Sequence, residues 1–96
     1  MVYMQTLLTM LKTDLGILSS DAYDERMTQY ITSAVTYITN EGAASLDTSK
    51  PDDAQLVVMY AAWMWRRRDN MEGMPQMLRR ALNNRVFREK AASSDD

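Results

Sequence analysis

From Leu56 to Trp65 the chain carries no charged residue, and both of its tryptophans fall inside that run. Leu56, Met59, Tyr60 and Trp63 follow the three-and-four spacing of one helical face, while Val57, Ala61, Ala62 and Trp65 fill much of the remaining circumference. A helix that is apolar nearly all round has to be enclosed by neighbours. The run is too short to cross a bilayer, which takes about 20 such residues. A strand is excluded by its length and by Ala61-Ala62, because alanine favours helix and disfavours strand. The sequence therefore predicts a central buried helix over about 53–69, with the Trp63 ring on its principal buried face. Asp52 and Gln55 have the spacing of a capping box at its start. Arg66, Arg67 and Arg68 occupy its last turn, where cations offset the negative end of the helix dipole.

At 96 residues the chain has room for one core and not two. It contains no cysteine and no histidine. Disulfides, thiolate metal sites, the commonest metal ligand and the commonest general base are thereby excluded. The acidic residues show no calcium-loop spacing. Gly-rich phosphate loops and nucleophile elbows are missing as well. The N-terminal stretch does not read as a signal peptide. These features favour a cytoplasmic protein that is not an enzyme and uses no cofactor or metal.

The flanking segments also read as helices. Met4, Leu7, Leu8, Leu11 and Leu15 form one stripe, ended by Gly16 as a left-handed residue with Ile17 folding back. Ser19, Ser20 and Asp21 offer N-caps for a second helix over about 22–40, with Asp24 and Glu25 as favourable charge in its first turn. Its buried stripe is Tyr23, Met27, Tyr30, Ile31, Ala34 and Ile38, and its outer face is rich in threonine, which lowers intrinsic propensity. Asn40 and Gly42 close it. A polar loop follows, with Leu46 as its apolar anchor. Gly73 and Pro75 separate the central helix from a shorter fourth one bearing Met77, Leu78, Ala81, Leu82 and Val86. A positive φ at Gly73 would make valine there disruptive. Residues 91–96 read as a polar, disordered tail beyond a single domain over 1–90. The fold class is all-α: three main helices plus a C-terminal one.

Two features suggest contact surfaces. Up to Trp65 there are three basic and eight acidic residues, and from Arg66 onward eight basic and five acidic. Segments of opposite sign suit docking by charge complementarity. The arginines Arg66, Arg67, Arg68, Arg79, Arg80, Arg85 and Arg88 are suited to phosphate or to an interface, although a helix C-terminal cap and a solvated face explain them better. Met71, Met74 and Met77, around the turn, are adaptable apolar contacts. Tyr37 lies off the buried stripe, either in an interface or covering the edge of the core. A small DNA-binding regulator built on the basic C-terminal helix is the alternative function, opposed by the overall pI of about 5.0.

The order of parts is also informative. Leu7–Ile17 reads Leu-Leu-Thr-Met-Leu-Lys-Thr-Asp-Leu-Gly-Ile, followed by the acidic Ser20–Arg26, a helix ending at Tyr37-Ile38-Thr39-Asn40, then Pro51-Asp52 and Met59–Arg66, and finally Met74–Arg85. This order resembles the head–tail connector (head completion, adaptor) proteins of tailed bacteriophages and prophages. The resemblance covers about 7–90 and rests on pattern and length, with no diagnostic residue. It implies a structural subunit in a ring of about a dozen copies, placed in the virion neck after synthesis in the host cytoplasm. The implied partners are the portal protein on one face and a stopper or tail-completion protein on the other, with non-specific contact to channel DNA. The resemblance transfers no catalytic residue.

Overall fold

The computed structural model describes residues 2–17, 20–69 and 73–93. Four helices account for most of them: α1 (Val2–Leu15), α2 (Asp24–Glu41), α3 (Pro51–Arg66) and α4 (Gln76–Ser93), with a single 3₁₀ turn, Arg67–Asp69, after α3. The fold is all-α, and no strand occurs among the described residues.

Helix α3 is the centre, as its uncharged run requires. Leu56, Val57, Val58, Tyr60, Ala61, Ala62 and Trp65 are buried on it. Leu7, Leu8 and Leu11 of α1, Met27, Ile31, Ala34 and Ile38 of α2, and Leu78 and Leu82 of α4 complete the same cluster. Helices α1 and α2 pack on α3 and on each other, while α4 packs chiefly on α3. The result is flat, with Cα extents of 47 × 32 × 17 Å.

The helix ends are partly as expected. Gly16 takes φ 75°, its N–H bonds Thr13 O at 3.2 Å, and Ile17 N–H bonds Lys12 O at 3.0 Å, which is a Schellman closure. Gly42 ends α2 in the same way, with bonds to Thr39 O and from Ala43 N–H to Ile38 O. Its φ of 134° is a conformation for glycine, and a Cβ there would stand 2.9 Å from Val86 of α4. Gly73 shows no positive φ, and a Cβ on it would meet nothing within 4 Å, so valine there has no steric reason to disturb α4.

The N-termini differ from expectation. Tyr23, not Ser20 or Asp21, precedes α2, and no side chain caps that end, while Ser19 lies outside the described residues. Ser20 instead accepts a bond from Ala22 N–H at 3.2 Å, and Asp24 pairs with Lys12 at 2.9 Å, joining α1 to α2. Helix α3 starts with Pro51 at its first position, so Lys50 takes the cap position and the Asp52–Gln55 capping box does not form. Helix α4 has 18 residues, as many as α2. It continues through Ala91–Ser93, the start of the segment read as a tail, helped by good helix formers and the Arg85–Glu89 pair one turn apart. The outer threonines are accommodated by back-bonding, for example Thr32 Oγ1 to Thr28 O at 3.0 Å.

The two indoles exchange the places their spacing suggests. Trp65 is the buried one, 7% exposed, with Tyr23 and Tyr30 edge-on at 5.3 and 6.0 Å. Trp63 is half-buried, edge-on to Tyr60 at 5.5 Å, and its Nε1 donates to Gly73 O at 3.1 Å. Trp65→Ala is therefore expected to cost about 3–5 kcal/mol. Trp63→Ala should cost less, roughly 1–2 kcal/mol for partial burial and one hydrogen bond. Chemical denaturation of the two variants checks the order, and equal losses would show that the burial is misassigned.

Candidate interaction surface

The charges that the sequence separates into two blocks come together across the fold. Arg66 reaches Asp14 at 3.2 Å, with both side chains about half exposed. Arg67 lies over the Trp63 ring at 4.7 Å. Arg68 lies over the Trp65 ring at 3.8 Å and donates to Trp65 O at 2.6 Å. The arginine run thus closes the C-terminus of α3 and covers its indoles. An exposed cation–π contact is worth roughly 0.5–1 kcal/mol.

Arg85 is a correction to the reading of an accessible cation. It is 8% exposed and faces Asp53, itself 4% exposed, with Nε to Oδ1 at 2.8 Å. Arg85 also donates to Glu89 at 2.9 Å and to Ser45 Oγ at 3.3 Å, and Ser45 gives both its hydroxyl and its N–H to Glu89. The second Asp53 oxygen accepts Asp47 N–H at 2.9 Å. One network therefore ties the 43–50 loop, the first turn of α3 and the second half of α4. Its signal was present: Arg85 lies seven residues after Leu78 and three after Leu82, on the buried stripe. It points inward because Asp53 waits there.

The Asp53 pairing holds the Arg85 guanidinium in its charged form more firmly than usual, with Glu89 adding to it against the cost of burial. The Glu89 carboxyl is held below its ordinary value, first by the Ser45 hydroxyl, then by Ser45 N–H and Arg85. Ser49 does the same for Asp47. A pocket of about 460 Å³ opens beside this network, between the start of α3 and the end of α4, with Lys50 and Arg88 at its edge. Among the described residues no group of three acidic side chains is placed to hold a metal ion.

The other candidates do not form one patch. Arg79, Arg80 and Arg88 are exposed on α4 and, with Lys90, make no ion pair among the described residues. Met74 packs against the core, Met77 is 75% exposed, and Met71 lies outside the described residues. Tyr37 stacks on Tyr60 at 6.1 Å and is 51% exposed, so it covers the edge of the core. Phe87, which the sequence reading passed over, is 71% exposed on α4. Its signal is its place among Asn83, Asn84, Arg88 and Lys90, off the buried stripe.

Two outcomes are expected from the network. Asp53→Ala removes the nearest carboxylate from a buried guanidinium that keeps Glu89 and Ser45, and should cost about 1.5–3 kcal/mol, whereas replacing both Asp53 and Arg85 by apolar residues of similar volume should restore much of the loss; denaturant midpoints decide. Because the folded state lowers the Glu89 and Asp47 values, their contribution is complete above the ordinary carboxyl range and is lost as pH falls through the lowered values. Melting temperature should thus fall on acidification below about pH 4.5, less steeply in Glu89→Gln; an unchanged slope in that variant would contradict the assignment. Comparison with protein-family models, with curated proteins and with solved structures gives no match for this chain.

Proposed function

We propose that the protein is a structural subunit of a phage head–tail connector, assembling side by side with its own copies and docking on a portal protein without catalysis. The ordered segments between Leu7 and Arg85 that resemble this family support the family reading. The observation that carries the assembly reading is the outer surface of α4. Met77, toward Gln55 and Met59 of α3, and Phe87, toward Glu41 of α2, are exposed on that helix, which also carries Arg79, Arg80, Arg88 and Lys90. Exposed large apolar side chains on a helix rich in arginine match the composition of a protein–protein interface. Loops and short polar connections leave the helices as the contact-forming units, and an all-helical slab 17 Å thick suits placement beside another.

The alternative, a DNA-binding regulator, loses Arg85 to its buried pair. Arg66 is shared with Asp14, and Arg67 and Arg68 lie on indoles. The set suited to phosphate contact shrinks to Arg79, Arg80, Arg88 and Lys90, which fits occasional contact with channel DNA better than sequence readout.

Mass in solution tests the proposal, measured for the protein alone and mixed with a portal protein. Assemblies several-fold above the 11.0 kDa chain are expected in at least the second sample. A strict monomer in both samples, at high concentration, would overturn the connector reading.

A further inference from the structure

We propose that the cleft between the end of α2 and α4 receives an acidic amphipathic helix of a partner protein. A large apolar side chain of that helix enters beside Phe87, and its carboxylates meet Arg79 and Lys90. The proposal rests on the reading of α4 as a contact surface and names the chemistry of what covers it.

Charge is the first observation. Helix α4 carries five cations, Arg79, Arg80, Arg85, Arg88 and Lys90, and a single acidic residue, Glu89. Arg85 and Glu89 are taken inward together, where they meet Asp53 and Ser45. The outer surface of the helix is left with four cations and no carboxylate. None of the four is in an ion pair among the described residues.

Shape is the second. A depression of about 260 Å³ opens between the C-terminal end of α2 and α4. The buried Leu82 and half-buried Val86 lie at its base, with Phe87 on the α4 side and Glu41 on the α2 side. Phe87 is 71% exposed, and Tyr37, one turn before Glu41 on α2, is 51% exposed. Arg79, Asn83, Phe87 and Lys90 follow the three-and-four spacing of one line along α4. The exposed ring therefore has a cation toward each end, the two set about 16 Å apart along the helix axis.

Together these features select the occupant. Helix-in-groove recognition places an apolar anchor in a cleft and polar residues on its rim. A helix with Asp or Glu on both sides of its anchor supplies what Arg79 and Lys90 lack. A second α4 would set cations against their own copies, which like-charge repulsion disfavours. Nucleic acid fits less well: Glu41 stands on the lip facing Lys90 and repels a phosphate chain laid along the cleft. The base of the cleft is also aliphatic, whereas unpaired bases stack on aromatic faces.

The test is a selection from a random library of peptides of about 16 residues, displayed on yeast and presented with the full chain. The enriched peptides are then synthesised and titrated by fluorescence anisotropy. They should be acidic, carry a large apolar residue at helical spacing from their carboxylates, and bind less tightly as salt is raised. Phe87→Ala should weaken them about tenfold while leaving the circular dichroism of the chain unchanged. The double variant Arg79→Glu, Lys90→Glu should lose them and prefer versions with Lys in place of Asp and Glu. A selection that enriches nothing, or only neutral or basic sequences, overturns the proposal, as does binding indifferent to either variant. A single-stranded DNA oligonucleotide that binds through the same residues more tightly than any selected peptide would assign the face to nucleic acid instead. Peptide binding by a chain that stays monomeric with portal protein would keep this contact and remove the connector reading. Large assemblies with no selected peptide would do the reverse.

Discussion

The fold depends on the hydration cost of one helix. With Leu56, Val57, Val58, Ala61 and Ala62 spread around its circumference, α3 has no face on which all its apolar surface is hidden by a single partner. Burial of such side chains is worth roughly 1.5–3 kcal/mol each for the larger ones, and that surface can be removed from water only by neighbours on several sides. α1, α2 and α4 are those neighbours. Their stripes, from Leu7 to Leu11, Met27 to Ile38, and Leu78 to Leu82, are narrow because each covers only part of α3.

The fourth helix is held by a different balance. Its fully buried apolar contribution is Leu78 and Leu82, near its start and middle, and further along the contact becomes ionic, with Arg85 between Asp53 and Glu89. A buried ion pair adds less to stability than its short distances suggest, because both groups lose water. What it adds is register: Arg85 meets Asp53 in one position of α4 only, and that position brings Val86 up to Gly42, where a side chain would not fit. The glycine and the ion pair thus specify the same docking from opposite sides.

Much of the fold was legible because the patterns are redundant. The enclosed helix follows from an uncharged run bounded by Pro51 and three arginines, and the closures at Gly16 and Gly42 follow from glycine placed just after a stripe. The order of the tryptophans was not legible. On a helix apolar all round, Trp63 and Trp65 lie on different sides, and nothing in the sequence says which side α2 takes. Capping was misread at Asp21 and Asp52 because several short polar residues competed and Pro51 moved the start of α3 forward. The surface was the least legible part. Counting charges by segment suggested two opposed faces, yet Arg66, Arg68 and Arg85 are engaged with Asp14, Trp65 and Asp53, so sequence distance says little about which charges meet water.

The placement of the two indoles has an optical consequence. Trp65 sits in the seam between α2 and α3, between Tyr23 and Tyr30, whereas Trp63 touches the connection into α4 through Gly73 O. Emission from the first reports on the three-helix core, and emission from the second on the attachment of the last helix. A chain with only two tryptophans, on one helix, therefore carries a separate fluorophore for two of its seams.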